Sequence, residues 1–379
     1  MHISTRTLVE LATIFGLLVV PRALQRFRLP APLTCFAFGI IIVIFFKEFA
    51  HSRVIATVAT FGIASLFLLA GLEVDFAELR RQLPRLSGHI ALRGLLLAVS
   101  SLLIIRFLHM PWQPATLFAL GLLTPSTGFI LDTLPQSGLI DGEQAEVALD
   151  AISGEISAIL VLFVVSQAGS IQTLAVRSFA VLLLIVLTPL LFLALGKYVV
   201  PYAPGSEFSL LLMAGIICAV ITQTLGIHYL VGAFAAGLIA SLLRTRIATL
   251  ASSENLHAVR LFASFFIPFY FFREGLEVPP GALVVKALFY GLAFSLVIIP
   301  VRFAKNWLRA RYLSHRSSMG ATRVAVALTP TLIFTLVIAG VLSESFHIDD
   351  ALFGGLLVYA AISTILPSFV LPRLTGLPA

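Results

Sequence analysis

Charge is what this 379-residue sequence has least of: Asp, Glu, Lys and Arg make up 11% of it, against 59% hydrophobic residues. A soluble domain carries about 25% charged residues, so a water-covered globular surface is excluded. Cysteine is nearly absent, and Cys35 and Cys218 both stand in apolar runs. That excludes a secreted disulfide scaffold. The apolar excess excludes a disordered chain. The long runs do not alternate apolar and polar residues, which argues against a transmembrane barrel. The first apolar run lacks a small-residue cleavage site and is not read as a removed leader. The eight histidines show no ligand spacing, and no metalloenzyme motif or phosphate loop is present. We therefore expect neither an enzyme nor a cofactor. The net charge is +7, but the basic residues recur between apolar runs instead of forming a patch, so we expect no nucleic-acid partner.

What is there is length and apolarity. The mean hydropathy is +1.05. A helix needs about 20 apolar residues to cross a bilayer, and roughly thirteen candidate spans can be marked. They are 7–21, 30–46, 54–72, 89–108, 114–134, 147–168, 176–196, 207–225, 228–243, 261–277, 282–301, 324–342 and 351–371. The expected fold class is an all-α polytopic membrane protein embedded in a lipid bilayer. The boundary between the eighth and ninth spans falls near Gly226. About eight residues follow Leu371, so no soluble C-terminal domain is expected.

Lys and Arg set orientation. One set of loops holds Arg22, Arg26, Arg28, Arg80, Arg81, Arg85, Arg93, Lys197, Arg244, Arg246 and Arg260. It also holds Arg302, Lys305, Arg309, Arg311, Arg316, Arg323 and Arg373, for about 18 of the 25 basic residues. That set should be cytoplasmic, with the N-terminus outside, the C-terminus inside and the protein in the cell (inner) membrane. These basic residues are read as topology and lipid contacts.

Three short matches recur in order. Gly71-Leu72-Glu73-Val74 returns as Gly275-Leu276-Glu277-Val278, 204 residues on. Leu123-Thr124-Pro125-Ser126 returns as Leu328-Thr329-Pro330-Thr331, 205 residues on. Phe36-Ala37-Phe38-Gly39 returns loosely as Phe234-Ala235-Ala236-Gly237, 198 residues on. The offset covers seven spans, an odd number, so the second copy would be inverted. Inverted repeats mark secondary transporters with a site at the repeat interface. The expected division is 1–168 (spans one to six), 169–206 (a linking span) and 207–379 (spans eight to thirteen).

The Thr-Pro pairs fall inside spans five and twelve. Proline removes a backbone donor and clashes with the preceding turn. We expect helix breaks at Thr124, Pro125, Ser126 and Thr127, and at Thr329, Pro330 and Thr331. Unwound backbone and half-helix ends there can hold a small ion.

The segment Leu66-Phe67-Leu68-Leu69-Ala70-Gly71-Leu72-Glu73-Val74-Asp75, the aromatic-rich run Pro268–Val278 and Gly232-Ala233-Phe234-Ala235-Ala236-Gly237 resemble the monovalent cation:proton antiporter-2 family, a sodium/hydrogen-exchanger-like membrane domain. The likeness covers nearly the whole chain. It implies a sodium/proton-antiporter-like fold with a dimerisation domain and a six-helix core in which two broken helices cross. It implies a homodimer that exchanges Na⁺ or K⁺ for H⁺ by alternating access. That core would lie within spans three to six and ten to thirteen.

The Asp-Asp, Asn-Asp or Gln-Asp pair that the resemblance puts in span six to bind the ion is replaced here by Gly154-Glu155. An ionisable group inside a membrane is costly and marks function. Glu155 is therefore the expected cation ligand and proton carrier, with Gly154 making room for it. Arg273, with Glu274 beside it, is the expected charge partner. The family's span-twelve charges are missing from Thr331-Leu332-Ile333-Phe334, so Arg273 and Glu274 are also the candidates for compensating the half-helix dipoles. Asp132 and Asp150 would line the entry funnel. Glu143 and Glu146, in a loop without basic residues, would draw cations to its mouth. Two rivals remain: a same-fold transporter of an organic ion, and a non-transporting subunit or sensor.

Overall fold

A computed structural model describes residues 5–46, 52–74, 76–168, 171–203, 205–243 and 252–371. Asp75, Arg244, Arg246 and Arg373 lie outside the described residues. Those described contain fifteen α-helices and no strand. In order they are α1 (Thr5–Leu24), α2 (Ala31–Phe45), α3 (Arg53–Leu72), α4 (Phe76–Leu108), α5 (Trp112–Leu123), α6 (Thr127–Thr133), α7 (Asp141–Gln167) and α8 (Ile171–Tyr198). Then come α9 (Glu207–Thr224), α10 (Tyr229–Leu242), α11 (Ser253–Leu276), α12 (Val285–Tyr312), α13 (Ser318–Ala327), α14 (Leu332–Phe346) and α15 (Asp350–Val370).

The α5–α6 and α13–α14 pairs are single crossings interrupted at the two Thr-Pro sites. Merged in this way, ten stretches are long and apolar enough to span a membrane. The remaining crossings are α1, α2 and α10. Helices α2 and α10 have 15 and 14 residues, or about 21–23 Å at the helical rise, short of a hydrocarbon core of about 30 Å. Helix α4 begins at Phe76, well before the apolar run that opens at residue 89, because hydropathy marks where lipid begins and not where a helix does. The turn between α9 and α10 is at Gly226, whose φ of +71° favours glycine.

Helix starts follow ordinary capping chemistry. The Ser52 hydroxyl accepts from the Ile55 amide, Ser252 from Asn255, Ser317 from Gly320, and the Asp349 carboxylate from Ala351. Helices α13 and α14 are almost wholly enclosed. Helix α8 presents Val176, Phe179, Leu182 and Leu190 outward, a surface suited to lipid.

Two helix contacts are made backbone to backbone. A Cβ added at Gly39 of α2 would run into the Phe272 carbonyl of α11, and one at Gly275 of α11 into the Phe36 carbonyl of α2. The same reciprocity joins α3 and α10: Gly71 faces the Phe234 carbonyl and Gly237 the Leu68 carbonyl. Small residues let membrane helices approach this closely. These four glycines are the ones at the ends of two of the recurring sequence matches.

Gly275→Val or Gly237→Val should therefore unseat a helix pair. The expected cost is at least 1–3 kcal/mol, the usual range for overpacking, read as a lowered Tm and loss of the monodisperse peak in detergent. Gly340→Ala, where an added Cβ meets nothing within 4 Å, should be neutral or stabilise by up to about 1 kcal/mol.

Candidate functional site

The two breaks touch. The Ser126 amide donates to the Pro330 carbonyl at 2.8 Å, and the Thr335 hydroxyl of α14 donates to the Gly121 carbonyl of α5 at 2.8 Å. Thr331 and Ser363 share a hydroxyl hydrogen bond at 2.9 Å. Thr124 and Thr329 turn back on their own helices, donating to the Leu120 and Val326 carbonyls at 2.7 Å each. These two threonines shape the ends of the half-helices and offer no free hydroxyl hydrogen to the site.

Glu155 comes to this crossing from α7 and is 5% exposed. Its carboxylate faces the hydroxyl and amide of Thr127. Among the described residues, its Oε2 has no hydrogen-bond partner, and neither do the buried hydroxyls of Ser126 and Thr127. Glu155 and Thr127 thus face each other with polar oxygens to spare, and Ser126 is the chain neighbour of Thr127. Oxygen donors of this kind suit a hard cation, and Glu155 supplies the one negative charge among them. A carboxylate withdrawn from water needs a counter-charge or a proton. Gly154 does not make room for Glu155, as the sequence suggested. A Cβ there would meet the Pro125 ring at 3.0 Å and the Arg93 guanidinium at 3.3 Å, so the glycine lets the break and an arginine pack on α7.

A cavity of about 440 Å³ leads toward the crossing. Its outer wall includes Arg22, Gln25, Asp132 and Arg260, and its inner wall Gly128 and Phe129. Asp132 lines it. Glu73 lines it too and is paired with Arg260 at 2.6 Å. Glu73 stood in the sequence within a repeat match and within the family-like segment, with no role of its own.

Other expected placements change. Arg273 is not brought to Glu155; it pairs with Glu277 one turn on at 2.9 Å. Glu274 has Arg273, Glu277 and Glu344 for charged neighbours. Neither residue reaches the half-helix ends. Asp150 does not line the funnel: it is 4% exposed and pairs with Arg93 and with Arg309, both at 2.6 Å. Glu143 and Glu146 are not free to attract cations. Arg323 pairs with Glu143 at 2.7 Å and Arg316 with Glu146 at 3.0 Å, partners supplied by a distant part of the chain.

The group that answers the half-helix dipoles is Arg302 of α12. Its guanidinium donates to the Leu328 carbonyl at 2.8 Å and to the Thr329 carbonyl at 2.7 Å. It also donates to the Tyr359 hydroxyl at 3.0 Å, which in turn donates to the Leu122 carbonyl at 2.5 Å. One buried cation so serves the C-terminal ends of both α13 and α5, where the dipole is negative. Arg302 had been counted among the topology-setting residues. Its place at the edge of an apolar run was the available signal.

Two interrupted helices crossing inside a bundle of membrane-length helices define a polytopic membrane protein of the secondary-transporter class. The sequence matches the family described as "Sodium/hydrogen exchanger, transmembrane" over residues 11–375, and the chain belongs to that family. It is 23% identical over 367 residues to a Na⁺/H⁺ antiporter of Enterococcus hirae, covering 93% of each chain. It is 24% identical over 364 residues to a probable Na⁺/H⁺ antiporter 3 of Methanocaldococcus jannaschii, covering 93% of this chain and 92% of the other. Its fold is that of the sodium proton antiporter MjNhaP1 of Methanocaldococcus jannaschii at pH 8, with a TM-score of 0.69 and 15% identity over 95% of this chain and 94% of that one.

Removing the shared cap should loosen both breaks. Arg302→Met leaves the Leu328 and Thr329 carbonyls unserved and should cost about 3 kcal/mol, while Tyr359→Phe should cost about 1 kcal/mol. Thermal unfolding of the purified proteins in one detergent measures both.

Proposed function

We propose that this chain is a secondary active transporter that exchanges Na⁺ or K⁺ for H⁺ by alternating access, with Glu155 as the carrier. The observation that carries the reading is the Glu155 carboxylate, enclosed in the membrane-spanning bundle beside the unspent hydroxyls of Ser126 and Thr127. A site of this kind crosses loaded with either a proton or a cation, because the bare charge is too costly to move through a low-dielectric interior. Competition for one carboxylate is then sufficient for exchange. With a single carrier acid the simplest stoichiometry is one for one, without net charge movement. The Na⁺/H⁺ antiporter names of the relatives support this reading over an organic ion or a silent subunit.

The same reading takes residues 1–168 and 207–379 as two inverted copies joined by the span in 169–206. The reciprocal contacts of Gly39 with α11 and Gly237 with α3 support it, since one maps onto the other when the copies are exchanged. Asp132 belongs to the entry funnel. The funnel opens on the Arg-rich face, which we place in the cytoplasm with the C-terminus, the N-terminus lying outside and the membrane being the cell (inner) membrane. The working unit is a homodimer.

Purified protein in liposomes with a preset ΔpH and an internal pH dye tests the proposal. Addition of Na⁺ or K⁺ should dequench the dye for the wild type. Glu155→Gln should abolish the response, and Glu155→Asp should reduce it roughly tenfold or more, as displacement of a positioned group does. Absence of any cation-dependent signal in the wild type would refute exchange. Full activity in Glu155→Gln would refute the site.

A further inference from the structure

A second cavity, of about 120 Å³, is lined in part by Thr124 and Pro125 at the break. It shares no lining residue with the funnel. Apolar side chains of α4, α5 and α7 form most of its wall, and Ile90 and Gly94 at its rim are exposed. Three cations line it: Arg93, Arg302 and Lys305. The first two are committed, Arg93 to Asp150 and Arg302 to the half-helix carbonyls. Lys305 makes no hydrogen bond or ion pair among the described residues. Asp150 is the opposite charge it feels, but Arg93 and Arg309 already share that carboxylate.

An apolar recess that holds a lysine with no partner is suited to an anion, because in a low dielectric an ammonium is held at least cost beside an opposite charge. Lys305 lies seven residues before the end of α12 at Tyr312, or about 10 Å by helical rise. The edge-to-face pair of Trp307 and Tyr312 marks the membrane–water boundary there. The ammonium is therefore within reach of a lipid headgroup drawn slightly inward, whose acyl chains stay against the exposed side of α4. A cavity of this size takes the headgroup anion and not the whole lipid.

We propose that this cavity binds the phosphate of an acidic phospholipid, with Lys305 as its ligand. Thr124, Pro125 and Gly154 also line the cavity, so the bound headgroup steadies the break while leaving the funnel clear. The readout chosen is binding-linked stability, which does not depend on what the protein transports.

The full chain in an uncharged detergent is melted with added phosphatidylglycerol, phosphatidylcholine or inorganic phosphate. Phosphatidylglycerol should raise the Tm, and the other two should not. Lys305→Gln should weaken the response to phosphatidylglycerol roughly tenfold, and Lys305→Arg should keep it. Gly94→Leu, which fills the rim where an added Cβ has open space, should also weaken it. Lys197→Gln, on a distant helix, should respond like the wild type. An unchanged response in Lys305→Gln and Gly94→Leu, or equal responses to both lipids, would overturn the site. Inorganic phosphate reproducing the phosphatidylglycerol shift would overturn the lipid as its occupant.

Discussion

A helix that stops inside a membrane leaves carbonyl groups where there is no water to receive them, and each unsatisfied group there costs several kcal/mol. This chain stops two helices in that way. Both bills fall on one residue: Arg302 from α12 donates directly to the end of α13 and reaches the end of α5 through Tyr359. A charged donor suits the task because the C-terminal ends are the negative poles of their dipoles. The positions of the breaks and their contact at Ser126 and Pro330 rest on that cap.

The remaining polar groups at the crossing divide by whether the fold uses them. Thr124, Thr329, Thr331 and Thr335 spend their hydroxyls on carbonyls or on Ser363. Ser126, Thr127 and Glu155 do not. Buried polar atoms are almost always satisfied in native proteins, so an unspent set needs a reason. A transported ion is a reason that a permanent internal partner would remove. An arginine fixed on Glu155 would make the site a structural salt bridge. The pairing of Arg273 with Glu277 instead is thus consistent with the proposed carrier role.

Apolar runs located the crossings, because a bilayer demands them whatever the protein does. The Thr-Pro pairs located the breaks, because proline disrupts a helix by its own chemistry. Glu155 stood out because it is an acid deep in such a run. Pairing was not legible. Asp150 read as a funnel residue because its partners Arg93 and Arg309 are 57 and 159 positions away, and nothing local announces them. Glu143 and Glu146 read as a free acidic loop for the same reason. Arg302 was mistaken for a topology signal because positive-inside counting treats every basic residue near a span end alike. Its burial separates it from the exposed basic residues.

The reciprocal glycine contacts bear on how such a bundle can move. Interdigitated side chains hold packed helices in register, because ridges must climb out of grooves before they slide. At Gly39 with Gly275 and at Gly71 with Gly237 the surfaces are backbone on backbone. These contacts are close, but they present no knobs there. They join α2 to α11 and α3 to α10, and α3 packs along α11 as well, so these four helices form one closely joined unit. On the proposed reading of alternating access that unit moves as one piece, and bulkier residues at these four positions would force it apart.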